Sequence, residues 1–357
     1  MKRLLLIIVL IVSFSLSSCD TEPVPEKLPL SVKANLNLLL KDAQFVMYMN
    51  FKSMRSTQFW QNNLSDSILN SEQTFGSILN LFGKATGVTI SNGLDELYYA
   101  NSWFGENSIV LKGVFNKDKI ETYVDSDSTF TKIKHSDGTI IYKHIDDNLF
   151  FCLKDNVTLC ASNYRSQLDR MIAVKDTSAA GLRENVPVMN AIETTIYKKN
   201  LWMVSTEKMF IRGVFLNFLG TGTPPQPGGE TEGEGENPVE SLTEGLEIDK
   251  IYEKVNSLAF SINMDKELKI IAQGECVDEG AASSIRKVIS GLLTFSRVGT
   301  AFSSSEEKSA TEEIINSMEV NSYGNNVYLD IDVSNENISS FRNKKFIDEP
   351  PREPELP

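Results

Sequence analysis

Histidine is scarce in this chain of 357 residues, which contains only His135 and His144. Both lie in the segment KHSDGTIIYKH, which predicts a hairpin with its turn at Asp137-Gly138. In that hairpin His135 pairs with Ile140, and His144 lies four residues further along the same face, roughly 13 Å away. One metal ion cannot bridge that distance, and the chain has neither an H-E-x-x-H motif nor a paired C-x-x-C motif. The sequence therefore predicts no metal site and no cofactor.

Other catalytic motifs are incomplete. The segment FGKAT is similar to part of a phosphate-binding loop, but Ile78 replaces the leading glycine and Ala85 replaces the required Ser or Thr. Pro225 occupies the last glycine position of a dinucleotide fingerprint in GTGTPP, and no G-x-S-x-G is present. DIDVSNEN is rich in oxygen ligands, but Asn335 stands where a calcium loop requires glycine. We expect no catalytic residues and a protein that is not an enzyme; an acid–base hydrolase using only Asp and Glu is the open alternative.

Positive charge is also in short supply. The chain has 35 Lys and Arg against 48 Asp and Glu, which gives a net charge of −13 at pH 7. Nucleic acids and anionic lipid head groups bind basic surfaces. We therefore expect no nucleic-acid partner.

The apolar run near the start is too short to cross a membrane. Leu4 to Leu16 make 13 residues, against the roughly 20 that a spanning helix needs. Lys2 and Arg3 precede the run and no charge follows it before Asp20, which is typical of an export signal. The run ends in LSSC at positions 16–19, with Leu three residues before the cysteine and small residues between. This ending resembles the lipobox of bacterial lipoproteins.

The resemblance implies that residues 1–18 are a signal peptide, that Cys19 receives a diacylglyceryl group through its sulfur, and that the new amino terminus is acylated. More than one acyl chain makes membrane binding stable. Residues 19–31 contain three prolines and predict an extended tether. We expect a bacterial cell-envelope protein held on a membrane through Cys19; the periplasmic and cell-surface sides both stay open, and an ordinary secretory signal is the alternative.

Three cysteines follow the anchor: Cys152, Cys160 and Cys276. The compartment beyond the inner membrane permits disulfides, and an odd number leaves at least one thiol. LFFCLKDNVTLCAS predicts a hairpin that contains the first two. A two-residue loop at Asp155-Asn156 would place them on opposite faces, whereas a three-residue loop at 155–157 would place them directly opposite each other. A disulfide between Cys152 and Cys160 therefore depends on the turn.

Strands with one buried face alternate with helices. Period-two alternation occurs in LAFSINM at 258–264 and in VYLDIDV at 327–333. Apolar residues recur at helical spacing over 281–293, and Asp278 precedes them as a candidate cap. These patterns indicate an α+β fold with mainly antiparallel strands.

The order of the predicted elements occurs twice, over residues 32–195 and 196–345. The segments VLKGVF and IAQGEC match at Gly113 and Gly274, although matches this short also arise in unrelated hairpins. The arrangement resembles exported proteins of unknown function with two similar α+β halves. We expect two such halves, each a mainly antiparallel sheet with helices packed on one face.

Two segments cannot build a core. The stretch at about 220–246 is rich in Gly, Pro and Glu, and predicts a disordered acidic insertion in the second half. Residues 346–357 form a similar proline-rich ending, which predicts a flexible tail.

Aromatic residues are the remaining candidates for recognition. Trp60, Tyr98, Tyr99 and Trp103 lie in aromatic pairs in the first half, and Tyr and Trp are favoured in binding surfaces. Packing inside the fold would explain the same residues. We expect a non-catalytic lipoprotein that binds or scaffolds another envelope component, with an envelope protein as its partner. The alternative is a carrier or receptor for a small or lipidic ligand held between the two halves.

Overall fold

Alternating apolar and polar residues form twelve strands in the part of the chain that the structure describes. The computed structural model describes residues 21–64, 76–175, 181–218, 251–301 and 310–340. The strands are β1 (Phe45–Asn50), β2 (Leu94–Asn101), β3 (Asn107–Gly113), β4 (Phe130–Lys134), β5 (Ile140–His144), β6 (Leu149–Asp155), β7 (Thr158–Ser162), β8 (Leu201–Ser205), β9 (Val255–Met264), β10 (Leu268–Cys276), β11 (Glu319–Tyr323) and β12 (Asn326–Val333).

The strands form one sheet with the order β11-β12-β10-β9-β8-β1-β2-β3-β7-β6-β5-β4. Every neighbouring pair of strands is antiparallel. The predicted α+β fold with antiparallel strands is confirmed.

Helices lie before, between and after these strands. They are α1 (Leu30–Leu36), α2 (Phe51–Arg55), α3 (Gln58–Asn63), α4 (Gly76–Thr86), α5 (Lys117–Ser126), α6 (Arg165–Ala173), α7 (Val186–Thr194), α8 (Lys208–Phe218), α9 (Glu279–Ala301) and α10 (Ala310–Ser317). Short 3-10 turns occur at Gly181–Glu184 and Tyr252–Lys254, and residues 335–340 are helical.

The predicted cap of α9 is present, because Asp278 Oδ1 accepts a hydrogen bond from the main-chain N–H of Ala281 at 2.7 Å. The apolar stripe that begins at Ala281 is buried against β10 and β12, with Ile285 and Ile289 among its buried members. The helical spacing of the sequence therefore marks the face of α9 that packs on the sheet.

The strands of both predicted halves join in a single sheet, where the sequence indicated one sheet for each half. β1 pairs with β2 on one side and with β8 on the other. An unpaired edge strand exposes a row of main-chain donors and acceptors, and the β1–β8 pairing removes two such edges. At this seam the buried ring of Tyr48 lies 5.5 Å from that of Trp202 and 4.9 Å from that of Tyr98.

Apolar cores lie on both faces of the sheet. Buried residues of α1, α6 and α7 pack with Val46 and Val204 on one face. On the other face, residues of α2 to α5 pack over β2 and β3, and residues of α8 and α9 pack over β9, β10 and β12. Helices therefore cover both faces, whereas the sequence indicated one covered face in each half.

Several predicted segments lie wholly or partly outside the described residues. Cys19 and the signal at 1–18 lie outside them, as do the insertion at about 220–246 and the tail at 346–357. The tether predicted at 19–31 is described from residue 21, and its last two residues already belong to α1.

Candidate functional site

The four aromatic residues that the sequence marks for binding divide between the core and the surface. Trp60 is buried in the core, and so is Tyr98, whose hydroxyl donates to Glu96 Oε2 at 2.6 Å. Successive strand residues point to opposite faces, so Tyr99 lies on the other face, where it is half-buried. Trp103, in the turn between β2 and β3, is 59% exposed. Tyr99 and Trp103 are therefore the two that reach the surface.

These two residues line a groove of about 310 Å³, here called the Trp103 groove, where β1 begins and β2 and β8 end. The strand register explains its position: Phe45 pairs with Asn101 on one side and with Ser205 on the other. Paired residues of neighbouring strands share a face, so the three side chains form one row of the floor. The lining residues are Gln44, Phe45, Tyr99, Asn101, Trp103, Ser205, Glu207 and Phe210.

Aromatic rings in edge-to-face contact form much of the groove. The ring of Phe45 lies 6.1 Å from that of Tyr99 and 5.4 Å from that of Phe210, with interplanar angles of 63° and 60°. The Tyr99 hydroxyl donates to Asn107 Oδ1 at 2.7 Å, which fixes the ring. Burial raises the pKa of Tyr99, so its hydroxyl is neutral at pH 7.

The turn that carries Trp103 is held against the start of β1. Gly105 closes it with φ = +81°, a conformation that favours glycine, and its N–H donates to the Ser102 oxygen at 3.0 Å. The main-chain N–H of Trp103 donates to Gln44 Oε1 at 2.9 Å. The neighbouring Phe104 is 87% exposed, so the turn presents two large aromatic side chains to solvent.

The polar side chains of the groove are those of Gln44, Asn101, Ser205 and Glu207. The Asn101 amide nitrogen is already engaged, because it donates to Asn107 Oδ1 at 2.7 Å. Glu207 Oε1 accepts from the Met209 N–H at 3.2 Å, and among the described residues Oε2 has no hydrogen-bond partner. The groove therefore combines aromatic rings with a carboxylate oxygen that is available to a ligand.

A smaller apolar cavity of about 80 Å³ lies beneath α8 and α9. Val214 and Phe215 of α8 and Ile285 and Ile289 of α9 enclose it over β9, β10 and β12. It is about half the size of a 150 Å³ engineered cavity that takes up benzene. It lies wholly within residues 196–345, not between the two predicted halves.

Cys152 and Cys160 lie directly opposite each other on β6 and β7. This is the arrangement expected from the three-residue loop, but a register shift between Leu153 and Asp155 produces it, and Asp155 pairs with Thr158. Both thiols are buried and free in this structure, as is that of Cys276.

The two histidines are further apart than the sequence indicates. The His135 N–H donates to the Thr139 oxygen and Lys134 pairs with Ile140, so the turn has three residues where two were predicted. His144 pairs with Phe130, which is five residues before His135 on the partner strand. The two histidines are therefore roughly 16 Å apart and on opposite faces of the sheet. In the part of the chain that the structure describes, no three His, Cys, Asp or Glu side chains form a group that could hold a metal ion.

Sequence reasoning missed half of the aromatic lining. The sequence pattern marks neither Phe45 nor Phe210 for binding, because they lie 165 residues apart and meet only through the β1–β8 pairing. The aromatic pairs of the first half were a partial signal, since they marked Tyr99 and Trp103. Over the described ranges, no helix has both the length and the apolar character to cross a membrane.

Comparison with known proteins gives a distant structural similarity. No family model and no curated protein matches the chain. Crystal form III of TP0453 is similar with a TM-score of 0.47 and 11% sequence identity, over 91% of this chain and 100% of that chain. Form I (TM-score 0.44, 10% identity) covers 91% of this chain and 98% of that chain, and form IV (0.44, 10%) covers 88% and 96%. At these values the similarity supports no argument about function.

Proposed function

We propose that this protein is a lipoprotein of the bacterial cell envelope, anchored through Cys19, that binds or scaffolds another envelope component without catalysing a reaction. The observation that carries the binding proposal is the Trp103 groove, which lies at the middle of the sheet beside an exposed aromatic turn. Exposed Trp and Phe side chains next to a concave surface are typical of protein-binding sites. The similarity of LSSC at 16–19 to a lipobox supports the anchor.

Native mass spectrometry of the full-length protein, extracted gently from its own envelope, tests this proposal. We expect a mass shift that matches acylation at Cys19 and a co-purifying protein. An unmodified Cys19 would contradict the anchor, and a protein that remains without a partner after mild cross-linking would contradict the scaffold.

The carrier is the second candidate, supported by the apolar cavity under α8 and α9. At about 80 Å³ the cavity has room for only part of a lipid chain, so a carrier would have to open it between the two helices. A small molecule in the same native mass spectrum would favour the carrier over the scaffold.

We also propose that residues 32–195 and 196–345 are two similar halves. Support comes from the strand order: β1-β2-β3 and β8-β9-β10 are both runs of three adjacent strands, followed by α5 and α9 respectively. The last strand of each half, β7 or β12, then returns beside the third. A failure of these two strand sets to superpose would contradict the duplication.

A further inference from the structure

We propose that the Trp103 groove takes up a lysine or arginine side chain from a basic segment of the partner protein. This inference rests on the proposed binding function and names the chemistry of the partner at the same site.

The aromatic lining favours a positive charge. The faces of aromatic rings carry negative partial charge and attract ammonium and guanidinium groups within about 6 Å. Phe45 contacts two rings edge to face, Tyr99 and Phe210, and the three together with Trp103 line one concave surface. A cation that enters the groove therefore meets several rings at once.

The carboxylate of Glu207 adds a full negative charge to the lining. Its Oε1 accepts the N–H of Met209, and it takes part in no ion pair among the described residues. An ammonium or guanidinium group has only donors to offer, so a free carboxylate oxygen matches it. An anionic ligand would meet this carboxylate, and the described residues that line the groove include no basic side chain to face it.

The basic side chains nearest to the groove along the chain are engaged elsewhere. Lys208 Nζ donates to the main-chain oxygens of Glu253, at 3.2 Å, and Val255. Lys41 Nζ pairs with Glu184 at 2.6 Å. The guanidinium of Arg212, two residues after Phe210, lies over the ring of Tyr252 at 5.7 Å from its centroid. These three side chains therefore do not supply the groove with a cation.

Charge and shape favour a protein segment over a free cation. The chain carries a net charge of −13, which attracts basic partners and raises their rate of association. The groove is open to one side, and the exposed Phe104 follows Trp103 directly. A neighbouring apolar residue of a peptide would have a surface to pack on there, whereas a small cation would use only the groove.

The probe for this site is an acetylated and amidated GRKRG peptide, with GEDEG and GQQQG as controls. Of the three tryptophans in the chain, Trp60 and Trp202 are buried, so the indole N–H resonance of Trp103 should be the one that shifts. The spectrum of Trp103→Phe assigns that resonance. Fluorescence anisotropy of labelled GRKRG gives the affinity of each variant.

We expect Trp103→Ala to weaken GRKRG binding by about 5- to 30-fold, with Trp103→Phe recovering part of the loss. Glu207→Gln, which keeps the shape of the side chain, should weaken binding by about 5-fold, and raising the salt concentration should narrow that difference. Val114→Ala is the matched control, because Val114 is 73% exposed and follows the opposite end of β3. It should bind GRKRG with wild-type affinity.

Three affinity results would overturn the inference: equal affinity for GRKRG and GQQQG, unchanged affinity in Glu207→Gln, or tetramethylammonium ion binding as tightly as the peptide. The third of these would replace the protein segment with a small cation. A co-purified protein partner together with a GRKRG peptide that leaves Trp103 unshifted would refute this inference and keep the scaffold. A peptide that binds at Trp103 when no partner protein is captured would support the cation-binding groove and refute the scaffold.

Discussion

A buried lysine, Lys198, provides a test of how the segment before α1 is held. Its side chain is 1% exposed, and Nζ donates to the main-chain oxygens of Glu26 (2.6 Å), Glu193 (2.9 Å) and Thr195. These bonds fasten the segment before α1 to the end of α7. Lys198→Met keeps most of the length and removes both charge and donors. A buried acceptor without a donor costs about 1–3 kcal/mol, and relief of the buried charge offsets part of this, so we expect a loss of about 2 kcal/mol at pH 7.

The difference in unfolding free energy between the wild type and Lys198→Met should shift in favour of the wild type as pH rises. Burial lowers the pKa of Lys198 from 10.5 to about 8, although Glu193 and Glu26 act to raise it. Between these two values the unfolded chain holds a proton that the folded protein has released, so stability rises with pH. One pKa unit corresponds to about 1.4 kcal/mol, so the wild type should gain about 2 kcal/mol over Lys198→Met between pH 7 and 9.5.

Urea unfolding of both proteins at half-unit steps over that range measures the difference. Lys117→Met is the control, because Lys117 makes an exposed surface pair with Glu121 at 3.6 Å, away from Lys198, and should show no such widening. If the difference in unfolding free energy between wild type and Lys198→Met is constant or narrows as pH rises, the acceptor oxygens outweigh burial in setting the pKa of Lys198. The reasoning would then be wrong.

Three further predictions concern two buried cysteines and two glycines. Burial raises the pKa of Cys152 to about 12 and that of Cys276 to about 11. Both thiols should therefore resist maleimide in the folded protein at pH 8 and react in urea. Rapid labelling of the native protein would count against their burial. A Cβ at Gly181, where φ is +58°, would lie 2.2 Å from the Asn37 oxygen, so Gly181→Ala should lower the free energy of unfolding by more than about 2 kcal/mol, and a wild-type melting temperature would exclude that contact. Gly213 lies within α8, and a Cβ added there would meet no described atom within 4 Å beyond the backbone of its own helix. Gly213→Ala should therefore stabilise the protein by about 0.5–1 kcal/mol in the same assay. A lower free energy of unfolding would show that the site is crowded.

Local patterns predicted the single elements well, because alternation and helical spacing depend on which face of each element is buried. The strand at 258–264 lies within β9, and the helix begins at Glu279 after its Asp278 cap. The β1–β8 pairing could not be predicted in this way. It joins residues more than 150 positions apart, and no local pattern records which two strands become neighbours.

Hairpin registers show a second limit. A DG pair predicts a two-residue turn, but the hairpin closes between His135 and Thr139, which moves every cross-strand partner by one. The candidate site could also be predicted only in part. Tyr99 and Trp103 were marked by their residue types, whereas Phe45 and Phe210 join them only through the tertiary fold.

Photo-crosslinking in living cells tests the central claim most directly. A benzophenone side chain is placed either at Phe104, beside the Trp103 groove, or at Val114, after the opposite end of β3. The account predicts a protein adduct from position 104, absent from position 114 and lost when Cys19→Ser releases the protein from the membrane. Equal adducts from both positions, or an adduct at 104 that does not depend on Cys19, would contradict a membrane-anchored protein that binds through the groove.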